Sequence, residues 1–170
     1  IYICSTETFS GKSAVCIGLG RHLLRDGFSI GYMKPVSTTA RRIKGRVVDE
    51  DAEFIRNIFG LSEPLDLIAP VALTPQLVEA ILKGEVQLDF EVQLKKAFAE
   101  ISNERDVIIL EGGGSLREGY IVNLPTPYVA DLLKARELTV VKYNNDLQVV
   151  DDALTAHTRL GDSMLGIIIN

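Results

Sequence analysis

The sequence predicts an α/β protein of three layers, in which helices cover both faces of a doubly wound, mainly parallel sheet. Short runs rich in Ile, Val and Leu alternate along the chain with longer segments that have helical periodicity. Several of these runs contain no polar residue, a pattern typical of strands that are buried on both faces. Because strands that alternate with helices pair in parallel through right-handed crossovers, this order predicts one parallel sheet.

The individual elements follow from the same patterns. Five apolar runs predict strands, at 1–4, 30–33, 107–110, 138–143 and 165–169. Six periodic segments predict helices, at 12–25, 51–59, 75–83, 90–103, 127–134 and 147–160. Gly27, Gly60 and Gly161 follow three of these helices and are predicted as C-caps. Residues 36–48 lack periodicity and predict a long loop near the site, and residues 60–74 predict a proline-containing connection.

Length and composition predict one globular domain. The chain has 170 residues, of which 46% are hydrophobic, and its mean hydropathy is +0.17, values that exclude a disordered chain. Aromatic residues make up only 6%, so the core is expected to consist of Ile, Val, Leu and Ala. The chain begins on Ile1, inside a predicted strand, and ends on Asn170 after another. We therefore expect residues 1–170 to form a single domain that is a fragment of a longer protein.

Charge and residue usage exclude several classes. The net charge of −5 and the single short basic cluster, at 41–46, argue against nucleic-acid binding. No apolar run reaches the ~18 residues of a membrane span, and no secretory signal is visible, so we expect a cytoplasmic protein with no membrane partner. Cys4 and Cys16 lie in apolar runs and are predicted as small buried hydrophobes. His22 and His157 lack partners at metal-ligand spacing and are predicted to be structural.

The segment after the first strand contains the features of a phosphate-binding loop. Residues 5–13 lead from an apolar run through Gly11, Lys12 and Ser13 into a helix, the context that such a loop requires. Loop and helix N–H groups would face phosphate oxygens, Lys12 would reach the β- and γ-phosphates, and Ser13 would bind Mg²⁺. The usual G-x-x-x-x-G-K-[ST] spacing places a glycine where this chain has Thr6. An ordinary surface turn that caps a helix therefore remains an alternative.

Chemically active residues also follow the other predicted strands. In open α/β sheets, ligands bind beyond the carboxyl ends of the strands, which meet at one edge. The segments at these ends contain lysine, glutamate, glycine and asparagine residues, at 34–38, 111–114, 144–146 and 170. The sequence therefore predicts one ligand site that draws on several strand ends.

Acidic residues in two of these regions predict a Mg²⁺ site. Glu111 ends a buried strand and is predicted to anchor Mg²⁺ directly or through water, the alternative being a turn with a solvated carboxylate. Residues 49–51 are Asp-Glu-Asp at a helix start, where the helix dipole alone would stabilise them. The functional alternative is a metal ligand that completes a site with Ser13 and Glu111.

Two further features would act on the same phosphates or on the substrate. Lys34 precedes a proline that favours an extended conformation, so it can meet the phosphates that Lys12 binds. Two lysines and Mg²⁺ would spread the charge of a transferring phosphoryl group. The alternative for Lys34 is an exposed lysine at a strand end. Glycines at 112–114 would let the backbone approach phosphates or substrate closely.

Together these residues resemble dethiobiotin synthetase and its relatives, P-loop ATPases with a widened loop of the form G-T-x-T-x-x-G-K-[TS]. Residues 5–13 match that form with Ser5 at the first glycine position. The resemblance covers nearly the whole chain, in the order of the family's motifs. The further matching segments are Lys34-Pro35-Val36, Asp51-Ala52, Glu111-Gly112-Gly113-Gly114 and the adenine-reading Asn170.

The resemblance implies ATP- and Mg²⁺-dependent activation of a carboxylate, as in dethiobiotin synthetase, which phosphorylates a carbamate, and in the cobyrinic acid amidating enzymes. It implies catalytic roles for Thr8, Lys12 and Lys34 and metal ligation by Ser13, Asp51 and Glu111. The implied substrate contacts are Lys34, Thr38, Gly112 and Gly113. The implied nucleotide contacts are Thr6, Glu7, Thr8, Phe9, Ser10, Gly11, Lys12, Ser13, Ala14 and Asn170.

The chain departs from dethiobiotin synthetase where the diamine would bind. Residues 115–120 and 144–147 do not match that enzyme's loops, so dethiobiotin synthesis itself is in doubt. The chain more closely resembles the dethiobiotin-synthetase-like N-terminal domain of phosphotransacetylase-type proteins. That resemblance implies an attached C-terminal regulatory domain, and relatives that are often dimers make a homodimer a further expectation.

The sequence therefore supports two functions that belong to different classes. The first is a Mg²⁺-ATP-binding domain that phosphorylates a small carboxylate-containing metabolite or hydrolyses ATP, as the intact Lys12, Ser13 and Glu111 favour. The alternative is a non-catalytic domain that senses a nucleotide or metabolite, as the altered loops favour. A partitioning-type ATPase is a third possibility, but those proteins usually carry an early loop lysine, and residues 5–10 contain none.

Overall fold

The computed structural model describes all residues, 1–170. The strands are β1 (Tyr2–Ser5), β2 (Ile30–Met33), β3 (Val36–Ser37), β4 (Arg41–Ile43), β5 (Arg46–Val48), β6 (Val71–Ala72), β7 (Val107–Glu111), β8 (Glu137–Val141) and β9 (Met164–Ile169). The helices are α1 (Lys12–Arg25), α2 (Glu50–Phe59), α3 (Leu65–Ile68), α4 (Pro75–Leu82), α5 (Phe90–Ser102), α6 (Thr126–Leu132) and α7 (Asp146–Leu160), with 3₁₀ turns at Tyr120–Val122 and Gly161–Ser163. None of these helices has both the length and the apolar character that crossing a bilayer requires.

The central sheet has five parallel strands in the order β2-β7-β1-β8-β9. From β1 the chain first runs to β2 and β7 on one side and then to β8 and β9 on the other. The order of strands therefore reverses beside β1, and such a switch point is where open α/β sheets bind ligands. The predicted doubly wound parallel sheet is confirmed.

Successive residues of β2 contact helices on opposite faces of the sheet. A side chain at Gly31 would meet Ile101 of α5, whereas the ring of Tyr32 packs edge-on against Phe59 of α2, with centroids 6.1 Å apart. Because side chains alternate along a strand, these contacts place the two helices in different layers. The strand is buried on both faces, which explains its apolar sequence.

The ends of the helices agree with most of the sequence predictions. Gly60 is the C-cap of α2 in a left-handed conformation, and Gly161 is the C-cap of α7. Gly27 lies one residue beyond the cap of α1, which is Asp26. The predicted helix bounds agree with the observed ones within a few residues.

Two segments contain more structure than the sequence predicts. Residues 36–48 were expected to form a loop, but they contain β3 and the antiparallel pair β4 and β5, joined by Lys44 and Gly45 at positive φ. The hairpin is almost wholly exposed, so it lacks the alternation that marks a half-buried strand. The connection at 60–74 contains α3 and β6, which are too short to show periodicity.

Both cysteines are buried and free, as predicted. Burial raises the pKa of the Cys4 thiol to about 12 and raises that of Cys16 well above its ordinary value. A thiol that stays protonated is a poor nucleophile, so these residues serve packing.

Candidate functional site

A cavity of about 420 Å³ lies at the carboxyl edge of the sheet, beside the reversal of strand order. Segments that are distant in sequence meet there: the loop after β1, the end of β2 with the residues that follow it, the start of α2 and the end of β7. The lining residues are Thr8, Phe9, Ser10, Gly11, Lys12, Ser13, Lys34, Thr38, Thr39, Asp51, Glu111, Gly112, Gly113 and Gly114. Most of the predicted site residues therefore line this one cavity, and four predicted nucleotide contacts do not.

The loop after β1 turns into α1 at a glycine that no other residue could replace easily. Gly11 has a φ of 98°, and a Cβ on it would lie 2.5 Å from the side-chain nitrogen of Asn170. No side chain caps α1, so the first N–H groups of this helix remain available to an anion. Phe9 also has a positive φ, of 56°, and its side chain is 91% exposed at the mouth of the cavity.

Lys12 is buried in the cavity wall. Its Nζ donates to the hydroxyl of Ser5, 2.8 Å away, and that hydroxyl donates in turn to the carbonyl of Glu7. Burial lowers the pKa of the Lys12 ammonium and outweighs the opposing attraction of Glu111 and Glu118. Ser5, which occupies the family's first glycine position, therefore positions this lysine, a role that the sequence did not reveal.

Glu111 is fixed by hydroxyl groups on both of its oxygens. Ser13 Oγ donates to Oε1 at 2.7 Å, and the buried Tyr32 hydroxyl donates to Oε2 at 2.5 Å. Burial, with a further contribution from Glu111, raises the pKa of Tyr32 well above its ordinary value, so the phenol stays a donor. The Ser13 hydroxyl and the Glu111 carboxylate are the hard oxygen ligands that Mg²⁺ prefers, and they lie together at the N-terminus of α1.

The third predicted metal ligand, Asp51, lines the same cavity but is mostly exposed. Its side chain is 65% exposed, and its carboxylate lies 3.9 Å from the Lys34 ammonium. No group of three or more His, Cys, Asp or Glu residues lies close enough together to hold a metal ion. The residues present fit a Mg²⁺ ion that keeps several waters and takes oxygens from bound phosphates, as this ion usually does.

Lys34 and Asp49 form a buried ion pair at the edge of the cavity. Their charged atoms lie 2.8 Å apart, and the side chains are 6% and 0% exposed. Asp49 also accepts from the hydroxyls of Ser37 and Thr39 and caps α2 by accepting from the N–H of Ala52. Burial alone would raise the pKa of Asp49, but the Lys34 charge and these hydrogen bonds hold it below its ordinary value. Within the acidic run at 49–51, Asp49 thus positions Lys34, and Asp51, which the resemblance singled out, faces the cavity.

Glu118 lies at the predicted substrate end of the cavity, a position that no sequence pattern predicted. It accepts a hydrogen bond from the Thr38 hydroxyl. A Cβ on Gly113 or Gly114 would lie 2.3 Å from a Glu118 carboxylate oxygen. The glycines therefore permit close approach, as predicted, and the group that approaches them in this structure is the Glu118 carboxylate.

Four predicted nucleotide contacts lie outside the cavity. Asn170 donates from its side chain to the carbonyl of Ser10, 3.0 Å away, and so holds the phosphate loop. Glu7 accepts from Asn144 at 2.9 Å, Ala14 is exposed on α1, and Thr6 lines a different cavity. Contacts between these residues and a nucleotide remain predictions.

Comparisons with known proteins show the family to which the chain belongs. A family model described as an AAA domain matches residues 1–170. The ATP-dependent dethiobiotin synthetase BioD of Methanococcus vannielii is 30% identical over the whole chain, which covers 78% of that protein. The chain belongs to the dethiobiotin-synthetase-like P-loop NTPases. The corresponding Methanocaldococcus jannaschii protein is 29% identical over the same shares.

Other relatives of this NTPase group match a smaller part. The BioD protein of Caldicellulosiruptor saccharolyticus is 31% identical over 68% of the chain, and the match spans 48% of that protein, about half its length. Two solved structures share the fold at 14% identity over 99% of the chain. Chloroplast FtsY from Physcomitrella patens has a TM-score of 0.58 over 48% of its chain, and the kinase domain of the Escherichia coli tyrosine kinase ETK has 0.56 over 66%.

Proposed function

We propose that this domain binds Mg²⁺-ATP and transfers the γ-phosphoryl group to a carboxylate oxygen of a small metabolite. One observation carries the proposal: two lysines, a helix N-terminus, a hydroxyl and two carboxylates face one cavity at the sheet edge. The groups are Lys12, Lys34, Ser13, Asp51 and Glu111. The curated relatives are named ATP-dependent dethiobiotin synthetases, which supports the same reaction class.

The phosphates would lie against the N-terminus of α1. Its uncapped N–H groups and the helix dipole favour an anion there, and Lys12 lies within the same wall. In this structure the Lys12 ammonium binds only the Ser5 hydroxyl, a weak partner for a buried charge. A phosphate oxygen would replace that neutral acceptor with one of opposite charge, which a buried ammonium lacks in this structure.

Ser13, Glu111 and Asp51 would hold the metal. When bound, Mg²⁺ would neutralise the negative charge that develops on the transferring phosphoryl group. The Tyr32 hydroxyl keeps Glu111 directed at Ser13, so this part of the site is fixed before a ligand enters. A preorganised site needs little rearrangement during the reaction.

The acceptor would enter beside Thr38 and Gly113. Its carboxylate oxygen would attack the γ-phosphorus, the bond from that phosphorus to the departing ADP oxygen would break, and an acyl phosphate and ADP would form. Lys34 lies at this end of the cavity, held in place by Asp49, where it can stabilise the charge of the transferring group. Thr8 lines the same wall and would contact the phosphoryl group.

The test measures ADP release and acyl-phosphate formation, the latter trapped by hydroxylamine as a hydroxamate, over a panel of mono- and dicarboxylates. We expect ADP and hydroxamate to appear together with at least one acceptor, and Lys12→Ala to reduce the rate at least about 100-fold. Lys83→Ala is the matched control, because Lys83 is an exposed lysine paired with Glu79 on α4. ADP release that is equal in Lys12→Ala would contradict the proposal.

A second function, nucleotide or metabolite sensing without transfer, is favoured by one observation. The Glu118 carboxylate lies against Gly113 and Gly114, where the acceptor would enter, and an anion there repels a carboxylate. Under this alternative the protein binds ATP but releases no ADP with any acceptor. Removing the charge with Glu118→Gln separates the two: acceptor-dependent ADP release gained by this variant would mean that Glu118 blocks transfer.

A further inference from the structure

We infer that the protein has a second ligand site, which takes a small molecule carrying both an oxyanion and an ammonium or hydroxyl group. The site is a cavity of about 180 Å³ between the start of the phosphate loop, the loop after β7 and α7. It shares no lining residue with the nucleotide cavity. The lining residues are Thr6, Leu116, Arg117, Asp152, Thr155 and Arg159.

The polar groups that line this cavity lack partners. Arg117 and Arg159 line it as exposed side chains, and no protein group forms an ion pair or side-chain hydrogen bond with either guanidinium. Asp152 Oδ2 and Thr6 Oγ1 are buried and bind no other group, two of only six such side-chain atoms in the chain. Buried polar atoms in folded proteins nearly always have a partner, and two unpartnered ones beside two unpaired guanidinium groups make this cavity the candidate for a further polar ligand.

The chemistry of the lining defines the class of ligand. Guanidinium groups match carboxylate and phosphate oxygens in a two-pronged geometry. Asp152 accepts hydrogen bonds only, so it requires an ammonium or hydroxyl on the same molecule, and the two threonine hydroxyls can donate or accept. Leu116 is the one apolar side chain in the lining, which excludes a mainly apolar ligand.

Two residues of the second site lie next in the chain to segments of the nucleotide cavity. Thr6 belongs to the phosphate loop, and Arg117 precedes Glu118, which contacts Thr38 and lies against Gly114. A ligand that fixes Arg117 would restrain the segment that carries Glu118. We therefore expect the affinity of each site to depend on occupancy of the other, and by linkage the effect is reciprocal.

The test is calorimetric titration of phosphoethanolamine, which carries both required groups, with inorganic phosphate as a probe of the oxyanion alone. Lys12→Ala removes competing binding at the phosphate loop and serves as the background for every variant. We expect a Kd of about 1 mM or tighter for phosphoethanolamine. Arg117→Ala and Arg159→Ala should each weaken it about 10-fold or more.

Matched controls make the result specific. Arg21→Ala, an exposed arginine on α1, should leave binding unchanged. Asp152→Asn should reduce the preference for phosphoethanolamine over inorganic phosphate. Absence of binding to folded protein, or binding that survives both arginine substitutions, would overturn the inference. Because the background already lacks Lys12, failure here is distinguishable from failure of the ATP proposal.

Discussion

Replacing Asp49 with alanine tests whether the buried pair with Lys34 organises the site. Asp49 caps α2, and losing a cap of this kind costs about 1 kcal/mol. Its removal also leaves the Lys34 ammonium, which is 6% exposed, without its carboxylate. Breaking a buried pair by removing one partner costs about 3–5 kcal/mol. For a domain of this size we expect the melting temperature to fall by about 10 °C.

Asp89→Ala provides the matched control, because Asp89 caps α5 through the same hydrogen bond, from the N–H three residues on, but forms no ion pair. Urea unfolding of both variants should give a loss of about 1 kcal/mol for Asp89→Ala, which loses only a cap, and about 4–6 kcal/mol for Asp49→Ala, which loses a cap and a buried pair. Adding Lys34→Met to Asp49→Ala should recover part of the loss, because the unpaired charge is gone. Equal losses in the two single variants would refute the reasoning.

Two further predictions follow from groups of the nucleotide cavity. Since the folded state lowers the pKa of Asp49, the stabilisation that its charge contributes is fully present above the unfolded pKa of about 3.9 and is lost as pH falls through the folded pKa. The difference in unfolding free energy between the parent and Asp49→Asn, measured with urea, should therefore shrink in acid. A difference that stays constant with pH would contradict this prediction. Tyr32→Phe removes one of the two hydroxyls that fix Glu111 and should weaken Mg²⁺-dependent ATP binding about 10-fold. Tyr128→Phe changes an exposed tyrosine and serves as the control, which should bind ATP like the parent. Equal ATP affinity in the two variants would show that Tyr32 does not position Glu111.

The sequence predicts the sheet and most of the cavity for one physical reason. Parallel strands place their carboxyl ends at one edge, so polar residues after separate strands meet even when far apart in sequence. This rule alone predicts that Lys12, Lys34 and Glu111 lie together at that edge. The strong periodicity of the long helices likewise fixes their bounds closely.

Contacts that depend on register or loop path could not be predicted. β2 pairs with β7 in a register that places Tyr32 opposite Ile109, which is two residues before Glu111. The Tyr32 hydroxyl reaches Glu111 because of this register. Glu118 reaches the glycines through the path of an irregular loop, which composition does not define. The role of Asp49 depends on where α2 begins, because as the N-cap it is turned inward to Lys34.

The most direct test of the nucleotide site is calorimetric titration of ATP, with and without Mg²⁺, into the parent and Lys12→Ala. We expect Mg²⁺-dependent binding to the parent and none to Lys12→Ala, whose fold should stay intact because the only hydrogen bond of this side chain is the one to Ser5. ATP binding of equal strength in the folded Lys12→Ala variant would contradict the assignment of this cavity to the nucleotide.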